Sequence, residues 1–403
     1  MAAIASGRIG SVSAGYDAPG AGVCSGEAER PRAATGVTQL KFLHFADLHL
    51  DAPFAWAPRS TAVLRRANRR RTLERIVELA SAERVDALLS GGDLFEHERV
   101  EPDTVEFLRR VLGDAGLPVY LAPGNHDWLG PESPYARTRW PGNVHVFTSD
   151  RLEAVEPAPG LRLWGAAHCA PANTDSFFAG FRADGSGLNV ALAHASERGL
   201  LQFEGEGKRP HAPFAAAELA AANLDFAFLG HYHSPRDAER YTYPGNPDPL
   251  DFGEEGDRGA VLATFTGARG APLIERRDVS VSRVADVVVD VSAARDRDEA
   301  TGLIREALLK ADGCVRLTVK GDLAPEVSLD AAAVQRQGEH LDGLLVRLAV
   351  SYAYDLERIA AERTVRGQFV RDAVEQVADA ELRRRIIVTG LRALDSRSDL
   401  EVP

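Results

Sequence analysis

The chain has 403 residues, 45% apolar and 26% charged, with 47 Lys and Arg against 59 Asp and Glu and a formal net charge of −12. This composition excludes disorder along the whole chain, and the length is enough to bury two or three cores. The acidic balance excludes a generic nucleic-acid binder that relies on its own field, though not an enzyme that meets phosphate through bound metal. Cys24, Cys169 and Cys314 are too few and too far apart for a disulfide framework or a zinc knuckle. No run of 18 apolar residues predicts a membrane helix, and the start of the chain lacks a signal-peptide core. A cytoplasmic protein with no membrane association is the expectation.

Residues 1–38 show no periodicity and read as a flexible tail; an alternative start at Val37 would leave residues 1–36 untranslated. From Lys41 the pattern alternates. Strands are predicted at 41–46, 85–90, 118–121, 144–147, 161–165, 188–193, 224–229 and 260–265. A helix over 61–81 has Leu64, Leu73, Ile76, Val77 and Ala80 on its apolar face, and a second is bracketed by Pro102 and Gly113. After about residue 275 the chain changes character: strand 286–291, helix 299–310 and strands 314–320 and 344–351 form a small α+β unit. An amphipathic helix over 368–385 follows. The expected organisation is thus a tail (1–38), a layered α/β domain (39–277), a small α+β domain (278–352) and a helical tail (353–403).

Five short motifs each follow a predicted strand: Asp47-Leu48-His49, Gly92-Asp93, Gly124-Asn125-His126-Asp127, the lone His194, and Gly230-His231-Tyr232-His233. In open α/β sheets the carboxyl ends of strands are where sites assemble. Asp47 and His49, like His231 and His233, are two residues apart and would share one side of an extended strand end. The glycines would let the backbone turn sharply. Asp47, His49, Asp93, Asn125, His194, His231 and His233 offer carboxylate, amide and imidazole donors and no thiolate, a set suited to Mn2+, Fe2+ or Zn2+. Seven donors exceed one catalytic ion and divide between two, the arrangement used for phosphate-ester hydrolysis. Taken singly, each motif could also be a turn or a core histidine; the ordered conjunction is what carries the reading.

This ordered set resembles the calcineurin-like metallophosphoesterase superfamily. Within it, Phe42-Leu43-His44-Phe45-Ala46-Asp47-Leu48-His49-Leu50, Gly92-Asp93-Leu94-Phe95 and Gly245-Asn246-Pro247-Asp248-Pro249-Leu250 resemble SbcD/YhaO-like DNA repair exonucleases, and Thr364-Val365-Arg366-Gly367-Gln368-Phe369 is similar to the tail of YhaO-like proteins. The resemblance implies an α/β fold: a metallophosphoesterase β-sandwich flanked by helices, with a small α+β capping domain and a helical C-terminal tail. It implies two divalent ions, Mn2+ first, with Fe2+ or Zn2+ as alternatives. Asp47, His49 and His233 would hold one ion, Asn125, His194 and His231 the other, and Asp93 would bridge. A metal-bridging hydroxide would attack phosphorus, His126 would protonate the leaving oxygen or stabilise the transition state, and Asp127 would orient His126. The implied activity is a DNA exonuclease or endonuclease acting at DNA ends in repair. The alternatives are a phosphoesterase or pyrophosphatase for a nucleotide or nucleotide-lipid, and an inactive scaffold. A protein phosphatase is disfavoured because Glu96-His97-Glu98 stands where those enzymes carry Asp-Arg-Gly.

Substrate contacts are less sharply marked. Arg59, Arg65, Arg66, Arg69, Arg70, Arg71 and Arg75 crowd one segment and form a candidate phosphate-binding strip, with a solvated helix face as the competing reading. His97 is a candidate substrate contact or a surface histidine; His44 reads as a core residue, and Trp128 as packing rather than a base-stacking platform. Asp248, Asp251, Glu254, Glu255 and Asp257 read as a solvated acidic turn. The C-terminal helical region would pack on its own domain or, by the resemblance, dock on an SbcC-like coiled-coil ATPase; a homodimer is likewise implied. The chain has no P-loop of its own.

Overall fold

A computed structural model describes residues 39–173, 175–185, 187–203 and 210–395. These belong to one compact unit, 38–403. The tail expected over 1–38, the start at Val37 and the last eight residues lie outside the described residues. In chain order the strands are β1 (Leu40–Phe45), β2 (Ala87–Ser90), β3 (Val119–Leu121), β4 (Val144–Val146), β5 (Glu153–Ala158), β6 (Leu161–Gly165), β7 (Leu188–His194), β8 (Phe226–Gly230), β9 (Arg236–Asp237), β10 (Tyr241–Tyr243), β11 (Gly259–Phe265), β12 (Leu273–Asp278), β13 (Val284–Asp290), β14 (Cys314–Leu323) and β15 (Gly343–Tyr352). The helices are α1 (Arg59–Ala82), α2 (Pro102–Gly113), α3 (Pro134–Arg137), α4 (Ala216–Ala221), α5 (Arg297–Leu308), α6 (Ala331–Gln335), α7 (Leu356–Ala360), α8 (Val365–Gln376) and α9 (Ala380–Leu394).

Two six-stranded sheets run in the orders β12-β11-β1-β2-β3-β4 and β5-β6-β7-β8-β10-β9. Strands β1 to β4 are mutually parallel, as are β6, β7, β8 and β10; β11, β12, β5 and β9 are antiparallel additions. The inner strands are apolar on both faces because both faces are covered. In β1, Phe42 points into a core shared with Leu89 of β2, Leu163 of β6, Val190 of β7 and Phe226 and Phe228 of β8, while Leu43 and Phe45 point the other way, against Leu73 and Ile76 of α1 and Leu108 and Leu112 of α2. Ala227 and Leu229 of β8 likewise face away from the shared core, toward Leu219 of α4. The result is a helix–sheet–sheet–helix layering. Each wholly buried Phe or Leu here contributes about 1.5–3 kcal/mol.

A third sheet, all parallel in the order β13-β14-β15, packs Val289, Val315, Leu317 and Val319 against Ile304 and Leu308 of α5. No helix among the described residues is long and apolar enough to cross a membrane.

Three local expectations change. Leu64 is exposed, because the first half of α1 turns Arg65, Asn68, Arg69 and Thr72 inward instead. The helix expected over 368–385 is two helices: the chain extends at Val377, and the Asp379 carboxylate accepts the Leu382 N–H at 2.7 Å to cap α9. The edge strands β5 and β12 have no buried residue and mix charged with apolar side chains, and so left no alternating apolar signal.

Candidate metal centre

The carboxyl ends of β1, β2 and β3 in one sheet and of β7 and β8 in the other meet at one place. Asp47 and His49 follow β1, Asp93 follows β2, Asn125 and His126 follow β3, His194 ends β7, and His231 and His233 follow β8. The convergence does not come from extended geometry. Asp47 (φ 55°), His49 (φ 47°), Asp93 (φ 53°) and His231 (φ 114°) all adopt positive φ. Left-handed backbone costs a non-glycine residue about 1–2 kcal/mol, so four such residues at one locus mark a site that the surrounding structure must hold in place. Gly92 turns the chain at φ 97° as expected of a glycine. At Gly124 the need is room: a Cβ there would lie 2.2 Å from Asp93 Oδ1.

Single ligand atoms of Asp47, His49 and His233 lie within 4.8 Å of one another, as do those of Asp47, Asp93 and His194, and those of His49, Asp93 and His126. The two carboxylates therefore stand between the two histidine sets. His194 Nε2 lies 3.2 Å from Asp93 Oδ2, 3.1 Å from Asn125 Oδ1 and 3.3 Å from His231 Nδ1. His194 Nδ1 lies 2.9 Å from the Gly91 carbonyl, to which it donates, so its other nitrogen faces a ring of acceptors. On the other side His49 Nε2 is buried without a hydrogen-bond partner, 3.7 Å from Asp93 Oδ2. Converging acceptors and an orphaned buried nitrogen fit divalent cations, and the hard oxygen and imidazole donors suit Mn2+, Fe2+ or Zn2+. Burial would lower His194, but the charge and hydrogen bond of Asp93 raise it to about 9. Burial would raise Asp93, but His194 holds it well below the usual carboxylate range.

The outer nitrogens are anchored by acids that the motif analysis passed over. Glu96 accepts from His49 Nδ1 at 2.7 Å and from His126 Nδ1 at 3.0 Å. Although burial opposes it, these bonds hold Glu96 down at about 2; the bond to Glu96 in turn raises His126 to about 9. Glu254 accepts from His233 Nδ1 at 2.8 Å and from Asn246 Nδ2 and the Leu250 N–H, each at 2.6 Å. Such carboxylate–histidine pairs fix the ring orientation and tautomer of a metal ligand. His168, buried, lies with Nε2 2.7 Å from the His194 carbonyl.

Asp127 does something other than orient the His126 ring. Its carboxylate accepts the N–H groups of Asp93 (3.1 Å), Leu94 (2.7 Å) and Gly124 (2.6 Å) and the Tyr135 hydroxyl (2.6 Å), tying the β2 and β3 loops together. Ser133 caps α3 and so places Tyr135. His126 itself is 47% exposed, with its N–H on Asp93 Oδ1 at 2.8 Å, within reach of a bound substrate.

The arginine strip is not a strip. Arg65 and Arg69 are wholly buried, with Arg65 donating to the Pro249 carbonyl and Arg69 to the carbonyls of Leu48 and Asp248, and neither can meet a phosphate. Arg70 pairs with Asp103 at 2.8 Å, and Arg75 donates to the Ser280 carbonyl at 2.6 Å. Arg59 and Arg71 are exposed and Arg66 is half-buried. His97 stands beside the site, its N–H on the His126 carbonyl at 2.9 Å, but its ring stacks on Trp128 with centroids 4.5 Å apart. Nor is the acidic turn simply solvated: Asp248 is completely buried and Glu254 holds a site histidine. Glu254, His168, Tyr135 and Arg69 carry no spacing signal of their own. Only the acidic residue three places after Asp93 could have been suspected.

Residues 40–235 match the family described as calcineurin-like phosphoesterase. The chain is 29% identical over 316 residues to the uncharacterized metallophosphoesterase YhaO of Bacillus subtilis, covering 73% of this chain and 75% of that one. It is 31% identical over 277 residues to the DNA double-strand break repair protein Mre11 of Aeropyrum pernix, covering 62% of this chain and 64% of the relative. The SbcD component of the SbcCD nuclease of Rhodobacter capsulatus is 26% identical over 337 residues, covering 68% of this chain and 81% of that one. The chain carries a calcineurin-like metallophosphoesterase domain, with YhaO, Mre11 and SbcD among its homologues.

Proposed function

We propose that the chain is a two-metal phosphodiesterase that cuts DNA at ends during repair. The observation that carries the chemistry is the clustering of Asp47, His49, Asp93, His194 and His233, with Asn125 and His231 beside His194 and the half-exposed His126 at the rim. Asp47, His49 and His233 would hold one ion and Asn125, His194 and His231 the other, with Asp93 shared; Mn2+, Fe2+ or Zn2+ suits the donor set. Bound metal supplies charge to polarise phosphate and activate water. The chain's own residues do the rest. Glu96 keeps the His126 ring protonated and aimed, and His126 gives that proton to the departing sugar oxygen. Asp127 holds the two loops that carry Asp93 and His126. The DNA substrate is supported by the relatives named for double-strand break repair and for the SbcCD nuclease. The latter relative is named as one component of a larger nuclease, which supports a partner here too, an SbcC-like coiled-coil ATPase. Exposed Val374, Leu382 and Ile386 on α8 and α9 offer it an apolar surface.

The test offers the purified chain with Mn2+ labelled duplex DNA, single strands and bis-p-nitrophenyl phosphate, with and without the partner ATPase. DNA cleavage is expected. Hydrolysis of the small ester alone, under every condition, would replace DNA by a small nucleotide substrate. His126→Ala is expected to lower kcat about 10²–10⁴-fold with two Mn2+ still bound.

A further inference from the structure

The 47–49 loop is held from two sides. Its N–H groups are taken by the next strand's exit: Asp47 N–H on the Gly92 carbonyl (2.9 Å), His49 on Asp93 (2.9 Å) and Leu50 on Leu94 (3.0 Å). The Leu48 carbonyl, between the two ligand residues, points inward and is taken by Arg69 of α1. The other arm of the same guanidinium donates to the Asp248 carbonyl at 2.8 Å. Arg65, one turn earlier, donates to the Pro249 carbonyl and lies 3.7 Å from Asp248 Oδ2. The Phe54 ring lies 5.3 and 5.5 Å from the two guanidinium carbons. Two guanidinium groups and one carboxylate are thus sealed from water, and burial lowers Arg69 to about 10, which leaves it charged at neutral pH. An apolar side chain would fill this space without the cost of desolvating a charge. What an apolar side chain lacks is a fork able to hold two loop carbonyls in fixed relation.

The same cluster reaches the start of the third sheet. Asp248 Oδ1 accepts the N–H groups of Val281 (2.9 Å) and Ser282 (2.8 Å), and Asn68 of α1 donates to the Ser282 hydroxyl at 3.1 Å. Ser282 is two residues before β13.

We infer that Arg69 is a positioning residue for the metal centre, holding the 47–49 loop in its ligating conformation, and that Asp248 ties this hold to the segment that leads into the third sheet. The inference rests on the metal-centre reading above. Asp47 and His49 sit in left-handed backbone that would relax once the Leu48 carbonyl were released, which would disturb chiefly the ion on the His49 and His233 side, since Asp47 also borders His194. Changes in the 280–282 segment would then be felt at that ion through Asp248 and Arg69, giving the third sheet a route to control metal loading.

The test compares full-length wild type, Arg69→Lys and Asp248→Asn. Lysine keeps the charge but cannot bridge two carbonyls as a planar fork does. Three readouts are taken: Mn2+ titration calorimetry with paramagnetic resonance of the spin-coupled pair, hydrogen exchange of the metal-free protein over 45–51, and hydrolysis of bis-p-nitrophenyl phosphate. In Arg69→Lys the affinity of one ion falls about 10-fold or more while the other is retained. The coupled signal is lost, exchange at 47–50 accelerates while β1 stays protected, and kcat falls with little change in KM. Asp248→Asn shows the same selective loss, smaller in size, and decides the matter if Arg69→Lys does not fold. Folded variants that bind both ions with wild-type affinity and exchange 47–50 at the wild-type rate would overturn the inference alone. Wild type that binds no Mn2+ would overturn the metal-centre reading and this inference with it.

Discussion

The two sides of the metal centre are built from similar ligands but supported differently. On the His49 and His233 side each imidazole leans on a carboxylate, Glu96 or Glu254, whose side chains are 21% and 18% exposed. At His194, sealed from water, the supports are neutral: the Gly91 carbonyl takes the His194 N–H, and His168 sits on the His194 carbonyl. Burial depth explains the difference. A fully buried carboxylate must be matched by donors, as Asp127 is by three N–H groups and the Tyr135 hydroxyl, whereas a carbonyl costs far less. Near the rim a carboxylate keeps part of its water and can both raise the basicity of a ligand and hold the proton on His126. His49 and His233 are thus supported by charge and His194 by neutral groups, and the two sides should respond differently to substitution.

The largest expected effect removes what they share. Asp93→Asn is expected to abolish binding of both Mn2+ ions in calorimetry and to lower turnover of bis-p-nitrophenyl phosphate by about 10³-fold or more; retention of either ion would show that the halves do not depend on a common carboxylate. Next come the charged supports. Glu96→Gln and Glu254→Gln are each expected to weaken one ion by about 10–100-fold and spare the other. Glu96→Gln should cost kcat more, because it also releases His126. Equal weakening of both ions would break the comparison. The neutral support should matter less: His168→Phe is expected to weaken the His194-side ion by less than about tenfold, the scale of one neutral hydrogen bond. The smallest effect lies far away. Asp379→Ala, which uncaps α9, should lower stability by about 1 kcal/mol in a denaturant melt and leave both Mn2+ affinities unchanged.

The strands that carry the site were legible because an inner strand covered on both faces is a continuous apolar run, as in residues 226–229, and each run ended in a polar motif. The donors, Asp47 through His233, were legible as residue types that serve little purpose together except to hold cations. What carried them to one point was misread: left-handed backbone at Asp47, His49, Asp93 and His231, not an extended strand end, turns these side chains inward. The run of arginines on α1 misled for a related reason. Charge and spacing predict a solvated or phosphate-binding face, and nothing local distinguishes Arg66, half-buried, from Arg65, whose partners lie 184 residues away. The same holds for the break between α8 and α9, where Asp379 acts as a cap only because the chain has already left the helix at Val377.

By itself, then, the chain's order of residues determined which groups do chemistry and that strands deliver them, since hydrophobic periodicity and donor chemistry are local properties. Only the tertiary structure decided which acids support which histidines, that Asp127 binds backbone and Glu96 binds His126, and that Arg65 and Arg69 face inward. Those pairings reach as far as 184 positions along the chain. Their strength depends on burial and on the direction of single bonds, which no window of sequence contains.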